Sequence, residues 1–173
     1  MTTALVILGA VFAAGPATVQ EHRGVVMSVE MGGAVPFGPA SSGVGAGATA
    51  RGLVGYEIAN GLTPSFSVEG TRFGSTEGST WEIAALPGLR WYAGADRVRS
   101  WVEGDAGIGQ FVYENDSLDG HIDVGLRLKV AGGIDLALEP FLSVCLHVAF
   151  NDARGGVDDH RWLDAGGAVD FAF

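Results

Sequence analysis

Among its 173 residues the chain has one cysteine, Cys145, and only 10 Lys plus Arg. A lone cysteine excludes an intrachain disulfide and a zinc site built from cysteines, so Cys145 reads as a small interior filler. Set against 20 Asp plus Glu, the scarce cations leave a net charge of −10. That balance excludes the basic footprint on which nucleic-acid binding rests. Long apolar runs are also missing. The run from Ala4 to Ala14 in "MTTALVILGAVFAAGPATVQEHRG" falls short of the roughly 20 residues that a transmembrane helix needs. Small residues and then polar ones follow it, so residues 1–20 read as a secretory signal peptide with cleavage near Ala17. The Lys or Arg that normally precedes such a run is absent. No later segment has the length of a membrane helix. If the chain enters a membrane, it does so as strands.

What the chain has in abundance is glycine, 28 residues, and strict alternation. In "HIDVGLRLKV", residues 121 to 130, Ile122, Val124, Leu126, Leu128 and Val130 fall on one side of a strand. His121, Asp123, Gly125, Arg127 and Lys129 fall on the other, because side chains switch faces at every residue. Seven more segments repeat the pattern. Val25, Met27, Val29 and Met31 oppose Ser28, Glu30 and Gly32, and Ala50, Val54, Tyr56 and Ile58 oppose Arg51, Gly55 and Glu57. Phe66 and Val68 oppose Ser67, Glu69 and Thr71, and Trp81, Ile83, Ala85, Leu89 and Trp91 oppose Glu82, Gly88 and Arg90. Val102, Ala106, Ile108 and Val112 oppose Glu103, Asp105, Gly107 and Gly109. Leu142, Val144, Leu146, Val148 and Phe150 oppose Ser143, Cys145 and His147, with Glu139 just before. Last, Leu163, Val169, Phe171 and Phe173 oppose Asp164, Gly166 and Asp170. No helical period competes over a comparable length.

Short turns such as "NGLTP", "AGADRV" and "AGGID" mark one end of this meander. "VPFGPASSGVG", "GSTEGS", "NDSLDG" and "NDARGGVDDH" mark the other as mostly longer loops. The pattern predicts an all-β, eight-stranded antiparallel up-and-down barrel over residues 24–173. Lipocalin-type soluble barrels share the strand number, so the side facing water has to be decided separately.

Three features favour lipid outside and charge inside. The charged face is also the small-residue face, which suits the crowded interior of an eight-stranded barrel. It carries both signs, Glu30, Glu57, Glu69, Glu82, Glu103, Asp105, Asp123, Glu139, Asp164 and Asp170 against Arg51, Arg90, Arg127 and Lys129, with His147 among them; charges taken out of water need partners. Aromatic residues of the apolar face gather near strand ends, Tyr56, Trp91, Phe171 and Phe173 at the short-turn end and Trp81 and Phe150 at the other, as girdles at bilayer height would. The surplus of acids predicts that some are protonated near neutrality or bridged by buried water.

The ordered set "YEIANGLTPSFSVEG", "RSWVEGDAGIGQFVY", "GGIDLALEPFLSVCLHVAF" and "AVDFAF" resembles the OmpA-like outer-membrane β-barrel family of Gram-negative bacteria. The likeness covers roughly residues 24 to 173 and includes no peptidoglycan-binding domain. It implies a porin-like transmembrane barrel in the outer membrane, with lipid and lipopolysaccharide around it. It also implies that Val169, Phe171 and Phe173 form an assembly signal read by the barrel-insertion machinery. The role it implies is structural in the cell envelope, or surface interaction through the longer loops, with a plugged interior. A small pore and a soluble periplasmic barrel with an apolar ligand inside are the alternatives.

No catalytic constellation stands out. His147 and Asn151 invite comparison with outer-membrane lipid A deacylases, in which a Ser follows the His by two residues; here that position is Ala149, and the attacking hydroxyl is missing. The acidic loops lack the spacing of a calcium-binding EF-hand loop, and no Gly-rich phosphate loop precedes a helix. The expectation is therefore no enzyme, no cofactor and no metal.

Overall fold

The computed structural model describes residues 24–38, 44–58, 61–75, 78–95, 97–115, 121–155 and 159–173. The proposed signal segment, residues 1–20, lies outside the described residues. Eight strands follow one another: β1 (Gly24–Phe37), β2 (Val44–Glu57), β3 (Leu62–Ser75), β4 (Gly78–Ala95), β5 (Val98–Asn115), β6 (His121–Glu139), β7 (Leu142–Arg154) and β8 (His160–Ala172). Each pairs antiparallel with its sequence neighbours, and β1 pairs with β8, so the sheet closes into a barrel in the order β1 to β8. Closure runs to the last residue. Val25 N donates to Phe173 O at 3.0 Å, and Phe173 N donates to Val25 O at 2.9 Å. A closed ladder leaves no unpaired strand edge, the condition for carrying backbone through hydrocarbon.

The alternation of the sequence becomes the wall of the barrel. Every apolar row named above faces outward. Val29, Met31, Ile83, Ile108, Val124, Leu126, Val130, Ile134, Leu146 and Leu163 are all exposed, Leu146 at 74%. A continuous belt of this kind is foreign to a water-exposed surface, since exposed apolar patches beyond a few hundred Å² are rare on soluble monomers. The opposite rows point into the lumen, where Glu30, Arg51, Glu69, Glu82, Arg90 and Arg127 are buried. This is a membrane-spanning barrel, apolar outside and charged within.

Strand ends differ from the sequence reading. "AGGID", residues 131 to 135, is not a turn: β6 runs through it to Glu139, and the turn falls at Pro140 and Phe141. Gly133 is required there by the indole of Trp101, because a Cβ would stand 2.6 Å from Trp101 Cζ2 and 2.6 Å from Leu146 O. At the end opposite the termini the strands extend into the presumed loops. Residues 151 to 154 of "NDARGGVDDH" belong to β7, and the connections reduce to residues 38–43, 76–77, 116–120 and 155–159. The expected contrast between short turns and long loops is therefore slight.

Candidate functional site: the charged lumen

Lumen side chains come from all eight strands, because each strand sends every second residue inward. They form layers stacked along the barrel axis. In the central layer Arg51 of β2 and Arg90 of β4 share the carboxylates of Glu30 and Glu103. Arg51 Nη1 lies 3.3 Å from Glu30 Oε2 and Arg51 Nη2 lies 2.8 Å from Asp105 Oδ2, while Arg90 Nη2 lies 2.7 Å from Glu30 Oε1. Glu103 bridges the two guanidiniums directly. Arg90 also stacks over the Trp101 ring, 4.0 Å from its centroid. A guanidinium suits this place because its planar fork serves several carboxylates at once while its face lies on an indole.

The next layer is centred on Arg127 and Lys129 of β6. Arg127 Nη2 donates to Glu69 Oε1 at 2.7 Å and to Asn151 Oδ1 at 3.0 Å. Its Nε makes an ion contact with Glu82 Oε1 at 2.8 Å that is not aligned as a hydrogen bond. Lys129 pairs with Glu69. Asn151 Nδ2 donates to Asp164 Oδ2 at 2.6 Å, and His147 Nε2 lies 3.4 Å from Asp164 Oδ1. Arg127 stacks 3.9 Å from the centroid of Trp162. Above this layer, towards the end away from the termini, Phe73, Phe111, Tyr113 and Trp162 cluster with Ala34 and Ala153. Tyr113 Oη and His160 Nε2 are 3.0 Å apart.

The layer nearest the termini holds Arg99, whose Nη1 lies 3.5 Å from Glu57 Oε2 and whose Nη2 lies 3.7 Å from Asp135 Oδ2. Trp101 Nε1 donates to Asp135 Oδ1 at 2.8 Å and to Cys145 Sγ at 3.3 Å. Asp170 sits beside them, buried. Asp135, Cys145 and Asp170 place their ligand atoms within 4.8 Å of one another.

Glu30, Arg51, Glu57, Glu69, Glu82, Arg90, Glu103, Asp105, Arg127, Lys129, His147, Asp164 and Asp170 thus all lie in the lumen and are buried. Asp123 is on a lumen row but half-exposed, near the β6 end away from the termini. Glu139 does not join them. The register slips between Ala137 and Glu139, and its side chain is exposed at the turn. Sequence reasoning also missed Asp135, Arg99 and the lumen aromatics Tyr92, Trp101 and Trp162, and it weighed Asn151 only beside His147, not as a partner of Arg127. A parity signal existed for these aromatics. Tyr92 follows Arg90 by two residues, Trp101 precedes Glu103 by two, and Trp162 precedes Asp164 by two.

On the outside, Tyr56 and Phe173 are exposed, the latter at 73%, and Trp81 and Phe150 are exposed at the far end. Trp91 and Phe171 are half-exposed. Arg72 covers the Trp81 ring at 5.0 Å, and Phe37 meets Phe150 at 5.8 Å. Beyond Phe150, Asp152 is held between Arg154, 2.8 Å away, and Arg161, 3.5 Å away.

The tight contact at Gly133 gives a first expected outcome. Gly133→Val forces a branched side chain against Trp101 and is expected to destabilise the barrel by about 1–3 kcal/mol, the usual cost of overpacking. Gly104 is the control, since a Cβ there meets nothing within 4 Å; Gly104→Val is expected to change stability little. Urea midpoints of the two variants compare them.

No family model and no curated protein matches the sequence. Solved structures do. The chain is similar to Neisserial surface protein A (NspA), at 15% identity and TM-score 0.66, over 86% of this chain and 97% of that one. It is similar to Ail, the attachment invasion locus protein of Yersinia pestis, at 14% identity and TM-score 0.57, over 86% and 99%. The outer membrane enzyme PagL is similar at 11% identity and TM-score 0.52, over 86% and 99%. At such identities the likeness is one of fold: a small eight-stranded transmembrane barrel, shared by proteins that differ in what they do.

Proposed function

We propose that the chain is a non-catalytic outer-membrane barrel of the OmpA-like kind, sealed along its axis, with a structural role in the envelope. The lumen lattice is the observation that carries this reading. Arg51, Arg90, Arg127 and Lys129 are all buried and each is engaged by two or more groups. Such a cross-linked interior argues against a continuous water path, because opening one would strip charges of their partners. Planar-bilayer recording of the refolded chain is expected to show no conductance steps. Regular steps from the unaltered protein would favour the conduit instead.

A non-catalytic role is supported by where His147 points. Acyl substrates of a membrane hydrolase lie in the bilayer, outside the wall. His147 is buried in the lumen against Asp164, with Ala149 two residues on. Lipid A and phospholipid turnover are expected to be undetectable, and turnover that disappears in His147→Ala would overturn the reading.

Two partners belong to the same proposal. Lipopolysaccharide would surround the rim where Arg72, Arg154 and Arg161 face outward, because guanidiniums pair with phosphate. Barrel-insertion machinery would read Val169, Phe171 and Phe173, the outward row of the closing strand. Phe173→Ser is expected to lower the assembled fraction in cells severalfold while purified chain still refolds in detergent micelles. Equal assembly of both forms in cells would contradict that role.

A further inference from the structure

The lumen's charge is balanced unevenly. Glu30, Glu69 and Glu103 each meet two cations, but Asp170 meets none among the ion pairs of the described residues. Both of its carboxylate oxygens are buried without a hydrogen-bond partner, and Oδ2 of Asp135 has only the 3.7 Å ion contact with Arg99. The Ser28 hydroxyl, opposite Asp170 in register, lies beside it but outside hydrogen-bond geometry. Asp170 is 4% exposed and Asp135 is 1% exposed. Leaving such groups desolvated and unsatisfied is costly. Three strands bring the cluster together. Asp135 of β6 and Cys145 of β7 are directly paired, and Asp170 of β8 lies two residues from Ala168, the partner of Cys145.

We propose that Asp135, Cys145 and Asp170 form a three-ligand site for a divalent cation of the zinc class, inside the lumen near the end that carries the termini. Their ligand atoms lie within 4.8 Å of one another, so small side-chain rotations close them onto an ion at zinc–ligand distances of roughly 2.0–2.3 Å. One thiolate and two carboxylates suit zinc or cobalt. Calcium requires 6–8 oxygen ligands, according to its usual coordination, and gains nothing from sulfur. Trp101 acts as a positioning residue. Its indole N–H is directed at Asp135 Oδ1 and at Cys145 Sγ, the outer hydrogen bonding that orients metal ligands. Binding releases the thiol proton to solvent, leaving two carboxylates and a thiolate around a dication, and the remaining negative charge lies beside Arg99, which also faces Glu57. Three protein ligands leave a fourth position for water.

Cobalt(II) titration of the metal-stripped, refolded full chain tests this. The expected result is a saturable thiolate-to-cobalt charge-transfer absorption at one ion per chain, displaced by zinc(II). Cys145→Ser abolishes the absorption, Asp170→Asn weakens cobalt affinity at least tenfold, and Trp101→Phe weakens it by about 10–100-fold. Folding of each variant is checked by the migration of unheated samples on gels. A folded parent chain with no absorption overturns the proposal. An absorption with unchanged affinity in folded Asp170→Asn also overturns it, since the cysteine would then be binding metal elsewhere.

Discussion

Arg90→Ala is expected to destabilise the barrel by about 3–5 kcal/mol, the range for breaking a buried ion pair by removing one partner. Arg90 lies 2.7 Å from Glu30, pairs with Glu103 and stacks on Trp101. Its loss leaves Arg51 alone to serve Glu30, Glu103 and Asp105. It also removes the cation that covers an indole 1% exposed. The penalty arises from stranded charge, so removing charge of the other sign restores part of it: the double variant Arg90→Met, Glu103→Leu is expected to be more stable than Arg90→Ala. Urea unfolding in lipid vesicles, read by the migration of unheated samples, measures both. A loss below about 1 kcal/mol for Arg90→Ala, the scale of a surface pair, would mean that water reaches this layer.

Ile108→Lys carries the second large effect. Ile108 lies near the middle of β5, faces outward at 63% exposure, and neighbours Leu126 and Ala85 in register. A lysine on the lipid face near the bilayer midplane costs about 2–4 kcal/mol. An equally exposed isoleucine on a soluble protein would be replaced within about ±0.5 kcal/mol. Solvent around the barrel therefore changes the size of the effect by several-fold, although the side chain has the same neighbours in either setting. Val98→Lys is a useful comparison. Val98 is also exposed but stands at the start of β5, where a lysine reaches the interface, and its cost is expected to be much smaller.

Much of the fold was legible because one physical rule, two faces per strand, acts at every residue. The rows of Leu126 and Arg127 separate without error from sequence, and so do the outward aromatics. Legibility failed where a residue type carries two meanings. "AGGID" looks like a turn because paired glycines usually make one, yet Gly133 is small to admit the Trp101 ring, a partner 32 residues earlier in the chain (133 against 101). Asp135 was lost with that misplaced turn. "NDAR" looks like a loop because its residues are polar, yet Asn151 is polar in order to join Arg127 and Asp164. Tyr92, Trp101 and Trp162 escape a reading that weighs aromatics only on the apolar face. Inside, they give the guanidiniums flat surfaces on which to rest. Composition alone makes Cys145 a filler, and its neighbours Asp135 and Trp101 become visible only in the folded register.

Neighbouring residues 126 and 127 offer the most direct measurement. Spin labels attached to Leu126→Cys and Arg127→Cys, each in a Cys145→Ser background and reconstituted in lipid vesicles, can be probed with oxygen and with a water-soluble relaxation agent. The expected result is strong relaxation of the label at 126 by oxygen dissolved in the acyl chains, with almost none from the aqueous agent, and little relaxation by either at 127. Strong relaxation of the 126 label by the aqueous agent would contradict the placement of the apolar face in lipid.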